Sequence, residues 1–154
     1  MTFVLEAREA ASHFVQEIWQ ARSEHAGSFV SIAACHWEMV MSRYEGTTTL
    51  VVRGPETVAT PLAYTEGGEW CGIRFKPGTF ISPFPAGALV DRAVVLPAAG
   101  SRSFWLHGQA WPCLDYENAD AFVERLVRNG LLVHDPVVAE VVQGHVPAIS
   151  VRSV

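Results

Sequence analysis

Residues 28–53 read SFVSIAACHWEMVMSRYEGTTTLVVR, and the reading of this run decides the fold. After Gly27 it holds no Gly or Pro until Gly46, and it is dense in β-branched and aromatic residues, which favour strands. It reads as one long strand or two in series up to Tyr44, a turn at Glu45-Gly46, and another strand in TTTLVVR. The part IAACHWEMVM is apolar on both faces, so which face lines the interior stays open.

The same punctuation continues outward. Gly54-Pro55 breaks the strand, VATPLAY gives a short one interrupted at Pro61, and Glu66-Gly67-Gly68 turns again. EWCGIRFKPG reads as a strand closed by Pro77-Gly78. Several short strands separated by such signals indicate an all-β barrel or sandwich. The segment TFISPFPAGALVDRAVVLP reads as a crossing loop with at most one more short strand, and FWLHGQAW as a strand. Upstream, residues 4–12 are rich in helix formers and fit a short helix. FVQEIWQARS fits neither period cleanly.

Towards the C-terminus the pattern changes. DYENADAFVERLVRNG carries a stripe of Phe122, Val123, Leu126 and Val127, with Asp115 as cap and Gly130 as stop, and predicts a helix. LLVHDPVVAEVVQG predicts a second, from Asp135 as cap and Pro136 as first residue to Gly144. Ser150 to Val154 reads as the first turn of a third. Strands followed by helices make the fold class α+β.

The 154 residues suffice for one domain with a real core. With 49% hydrophobic and 18% charged residues, the composition is that of a folded chain. A net charge of −5 argues against gripping nucleic acid over a broad surface. Glu6, Arg8 and Glu9 interrupt the N-terminus where a signal peptide needs an apolar run, and no stretch approaches a membrane span. Cys35, Cys71 and Cys113 are odd in number and form no C-x-x-C, which argues against a disulfide scaffold or a structural zinc site. A cytoplasmic protein without membrane contact is expected.

HWEMVMSRYEGTTTLVVRGPETVATP, GEWCGIRFKPGTF, YENADAFVERLVRNGLL, DPVVAEVVQG and SVRSV, in this order and spacing, resemble bacterial AraC-type transcription regulators. The closer resemblance is to a subgroup with R-G-P-E-T and G-[I/V]-R-F-[K/R]-x-G signatures. It covers the chain from about Phe14 to Val154. It implies a cupin-like β-barrel sensor over 1–112, a helical linker or dimerisation element over 113–145, and a truncated start of a recognition helix over 146–154. Ser150 and Arg152 would be remnants of that DNA-contacting helix. The chain would then be a non-catalytic sensor, a homodimer through Phe122, Val123 and Leu126, reaching DNA only through a further C-terminal domain.

Three constellations carry chemistry. His36-Trp37-Glu38 matches the first half of a zinc deaminase signature, but Pro112-Cys113 lacks the second cysteine of the other half. Enzymatic cupins resemble one another in a His and carboxylate metal set. His36 and Glu38 share a strand face, and His107 would complete a two-His, one-carboxylate site. This is the alternative: a free-standing metal-dependent cupin-like enzyme or small-molecule binder. The third is a pocket for a small aromatic or amphipathic effector. Its candidate lining is His36, Trp37, Glu38, Trp70, Arg74, Trp105 and His107, with Trp70 and Arg74 on one strand face. Arg53 of R-G-P-E-T is read as bracing a turn with Glu56. No cofactor is implied by the leading reading.

Overall fold

The computed structural model describes residues 3–31, 33–82, 84, 88–100 and 102–137. In chain order these form β1 (Phe3–Arg8), β2 (Val15–Ser23), β3 (Gly27–Ser31), β4 (Glu38–Tyr44), β5 (Thr47–Arg53), β6 (Thr60–Tyr64), β7 (Glu69–Phe75), β8 (Thr79–Ile81), β9 (Ala93–Val95), β10 (Ala98–Gly100), β11 (Ser103–Leu106), β12 (Gln109–Pro112), α1 (Ala119–Arg128) and β13 (Leu132–His134). The backbone of the fold is a six-stranded sheet in the order β1-β2-β7-β4-β5-β9, antiparallel throughout. Beside it lie β10-β11-β12, a β13-β8 pair and a β3-β6 ribbon.

This corrects the expected architecture. The six-stranded sheet is open, with β1 and β9 as its unjoined edges, and no closed cupin-like barrel forms among the described residues. A single helix, not two, follows the strands there. The segment LVH, expected to lead into the second helix, instead pairs as β13 with β8. The Asp135 carboxylate does accept a hydrogen bond from the Val137 amide at 3.0 Å, the cap geometry of a helix start. The rest of the segment expected to form a second helix, and Ser150 and Arg152, lie outside the described residues.

Residues 4–12 were expected to be helical and are not. Six residues of β1 pair with β2, and this long-range ladder overrides the propensity of Leu5, Glu6 and Ala7. Arg8 then fastens β1 to the helix, donating to Asp120 Oδ2 at 2.9 Å and to the Tyr116 carbonyl at 2.7 Å. The part of the run up to Tyr44 is two strands in series, β3 and β4, but they enter different sheets. The β4–β5 hairpin turns through Glu45 and Gly46, at φ 49° and 78°, the positive-φ pair such a tight turn requires.

Alternation divides the six-stranded sheet into two unlike faces. On one, Ile18, Ile73, Met39 and Val52 lie in register across four strands and are fully buried. Phe122, Val123 and Leu126 of α1, Trp111 of β12, and Leu131 and Leu132 join the same core. The buried side of residues 113–132 is therefore packed into the sheet's own core. Asp115 and Asn118 exchange backbone-to-side-chain hydrogen bonds ahead of α1. Its end is a left-handed Gly130 with Gly130 N–H donating to Val127 and Leu131 N–H to Leu126, a Schellman arrangement. No helix among the described residues is long and apolar enough to cross a membrane.

Candidate functional site

The other face of the sheet is where polar and aromatic groups meet. Glu17 of β2, Arg74 of β7, Glu38 of β4 and Arg53 of β5 stand side by side as one rung across four strands, their charges alternating in sign. Arg74 pairs with Glu17 through Nη1, and its Nε lies 3.5 Å from Glu38 Oε2. Arg53 pairs with Glu56 at 3.3 Å. The next rung is Trp19, Gly72, Val40 and Val51. Gly72 leaves room for the indole of Trp19. A Cβ there would sit 2.3 Å from the ring, so the missing side chain lets Trp19 lie flat on the sheet. In that position Trp19 Nε1 donates to Glu38 Oε2 at 3.0 Å.

The β3–β6 ribbon faces this surface, and a cavity of about 540 Å³ lies between them. That is within the range of about 300–1,000 Å³ typical of small-molecule sites. Phe29, Tyr64 and Trp70 form an aromatic train along one side, with ring centroids 6.1 and 6.4 Å apart. Trp19 forms part of the floor, and Glu17, Glu38, Arg53 and Arg74 supply the polar groups. A second cleft, of about 330 Å³, lies beside Arg43 and Glu69, which pair with each other at the surface. Its charged pair stays in water, and the larger cavity is the better-built site.

The R-G-P-E-T signature holds one end of the cavity in place. Gly54 has no room for a Cβ, because one would fall 2.1 Å from the Leu89 carbonyl oxygen. This close approach lets Asp91 accept from the Thr57 amide at 2.7 Å and from its hydroxyl at 2.5 Å. The Glu56 amide donates to the Ala34 carbonyl at 2.7 Å, which anchors the segment that leads to His36.

Burial raises the Glu38 carboxyl above its ordinary range, against the lowering pull of Arg74 and the Trp19 hydrogen bond. Burial, and then the charge of Arg74, push His36 down to about 4. The unfolded imidazole takes its proton near 6.5, so the stabilising share of a neutral His36 is complete above that pH and is lost as pH falls toward 4. Glu38 acts the other way: its share favours the native state at low pH and fades as pH climbs past 4.5. His36→Gln is therefore expected to lose less stability between pH 7 and pH 4.5 than the wild type. Melting curves at the two values test this, and an identical acid loss in both proteins would refute it.

The expected site residues are only partly brought together. Glu38, Trp70 and Arg74 line the cavity, and His36 is half-buried beside Arg74. Trp37 is not in the wall: it is buried in the core, 6.1 Å from Phe80. Trp105 is 46% exposed on β11, because Phe104 and Leu106 take the inward positions of that short strand. His107 sits at φ 52° in the β11–β12 turn, exposed, and so does not complete a site with His36 and Glu38. Among the described residues no three His, Cys, Asp or Glu come together as a metal-binding group. Phe122, Val123 and Leu126 are not an open dimer face, since they are spent inside the core at 3%, 0% and 0% exposure.

Sequence reasoning missed Trp19, Glu17, Phe29 and Tyr64. A bulge explains the first two. Val15 pairs with Phe75 and Glu17 with Arg74, so two residues of β2 oppose one of β7 and the alternation changes phase. The available signal was Gly72, a lone glycine inside a strand, which marks a close approach by another group. Comparison of the chain with family models, with curated proteins and with solved structures finds no match.

Proposed function

We propose that this chain is the effector-binding domain of an AraC-type transcription regulator, and that a small aromatic or amphipathic molecule occupies the cavity between the six-stranded sheet and the β3–β6 ribbon. The observation that carries the reading is the cavity itself: aromatic side chains around a rung of four charged groups that alternate in sign. Planar apolar ligands stack on such walls, and the few polar groups fix their orientation. The signature segments that suggest the family also contribute to this site. Gly72 and Arg74 come from G-I-R-F-K-P-G, and Arg53 and Gly54 come from R-G-P-E-T.

In such a regulator the domain is cytoplasmic, homodimeric and non-catalytic, and the ligand biases how DNA-binding domains are presented. The acidic balance of the chain fits a division of labour in which another domain grips DNA. The free thiols of Cys35, Cys71 and Cys113 suit a reducing compartment. The dimer contact must come from somewhere other than the buried stripe of α1.

A thermal-shift screen against small aromatic and amphipathic metabolites, read in parallel by tryptophan fluorescence, tests the binding part. A ligand at a hundred times its dissociation constant adds about 2.7 kcal/mol, enough to raise Tm by several degrees. Trp19 and Trp70 should report its arrival as quenching. A library that moves neither signal would remove the reading.

A further inference from the structure

In the lining Glu17 and Glu38 balance Arg53 and Arg74, and Glu56 beside Arg53 adds a third carboxylate from outside it. Arg74 is paired with Glu17, and Arg53 with Glu56. Glu38 is then the remaining carboxylate beside two guanidiniums, with its side chain only 14% exposed. Its Oε2 is shared between Trp19 and Arg74. Its Oε1 accepts no hydrogen bond from any described residue. His36 adds no positive charge at neutral pH, being held neutral down to about 4. Among the described residues the one buried side-chain donor without a hydrogen bond, Arg74 Nε, already faces a carboxylate oxygen 3.5 Å away, so it does not require an anionic ligand.

Resting on the cavity reading above, we infer that the ligand is an aromatic or lipophilic organic cation, an ammonium or similar group held by Glu38 and by the faces of Trp19 and the neighbouring aromatic rings. A buried carboxylate with an open oxygen gives such a cation its counter-charge. Indole and phenol faces attract cations within about 6 Å of their centroids. An anion of the same shape would meet Glu38 while both arginines already have carboxylate partners.

Titration of the wild-type chain with benzyltrimethylammonium tests this, read by tryptophan fluorescence, beside neopentylbenzene as the neutral counterpart and phenylmethanesulfonate as the anion. Benzyltrimethylammonium carries a permanent charge, so any pH dependence belongs to the protein. Glu17, Arg53, Glu56, Arg74, His36 and Tyr64 are the titratable groups around Glu38. Protonation of His36, like that of any of these carboxylates, acts in the same direction as that of Glu38 and weakens the hold on a cation. The cation is expected to bind at least ten-fold more tightly than either counterpart and to weaken as pH falls. Glu38→Gln should weaken it by about ten-fold or more.

Should the neutral compound or the sulfonate bind as well as the cation, or Glu38→Gln leave the cation unaffected, the charge inference falls and the cavity reading stands. If none of the three binds, both fall. The comparison of charges on the wild type decides the matter even if the variant fails to fold.

Discussion

Phe122→Ala is expected to destabilise the domain by about 3–5 kcal/mol, the range for truncating a fully packed aromatic, and to leave its solution mass unchanged. Phe122 is 3% exposed, lies 5.3 Å from the ring of Trp111, and sits between Val123 and Leu126 in the common core. Trp111 itself is fixed by its own hydrogen bond to the Leu106 carbonyl at 3.0 Å and by the Arg125 guanidinium 4.0 Å above its ring. It cannot swing into the vacated space without breaking that bond. The neighbours therefore relax little, and most of the cavity cost persists. Urea unfolding supplies the stability and sedimentation equilibrium the mass. If α1 instead presented a dimer face, the variant would change mass and keep most of its monomer stability, and that outcome would sink the packing assigned to the helix.

This helix was the most legible part of the sequence, and its partner the least. Phe122, Val123, Leu126 and the stop at Gly130 are where periodicity and punctuation place them, because a helix signals itself locally, whereas Val127 is exposed and the cap is Asn118, not Asp115. What the stripe packs against is not local information. An amphipathic face reads the same whether a second copy or the chain's own sheet covers it. The strands β4, β5 and β7 were legible for a similar reason, bounded by Glu45-Gly46, Gly54-Pro55 and Pro77-Gly78. β1 was not, because its residues favour a helix and only the pairing with β2 makes them a strand.

The site was half legible. Glu38, Trp70 and Arg74 stand in strands with clear boundaries, so alternation carries them to one surface. Trp105 and His107 were assigned inward from a segment read as one strand. It is a hairpin turning at His107 and Gly108, both at positive φ, which sends both side chains to the outside. The open sheet escaped sequence reasoning too, since closure depends on whether edge strands meet, and β1 and β9 do not.

Gly72→Ala joins fold and site in one substitution. It is expected to cost about 1–3 kcal/mol, the range for overpacking, and to remove ligand binding in the cavity. The added Cβ would lie 2.3–2.4 Å from three atoms of the Trp19 indole, so the ring must leave the sheet surface. Displacing it breaks the 3.0 Å bond to Glu38 and leaves that carboxylate without its indole donor. The indole would then move into the cavity that the β3–β6 ribbon covers. Trp19→Ala provides the contrast. It removes the floor without the clash, and in that background Gly72→Ala should cost far less, because the two substitutions share one cause. A double-mutant cycle on stability measures the coupling, and tryptophan emission reports the new surroundings of the ring. Additive costs would mean that Trp19 does not lie on Gly72, and the geometry of the whole site would have to be redrawn.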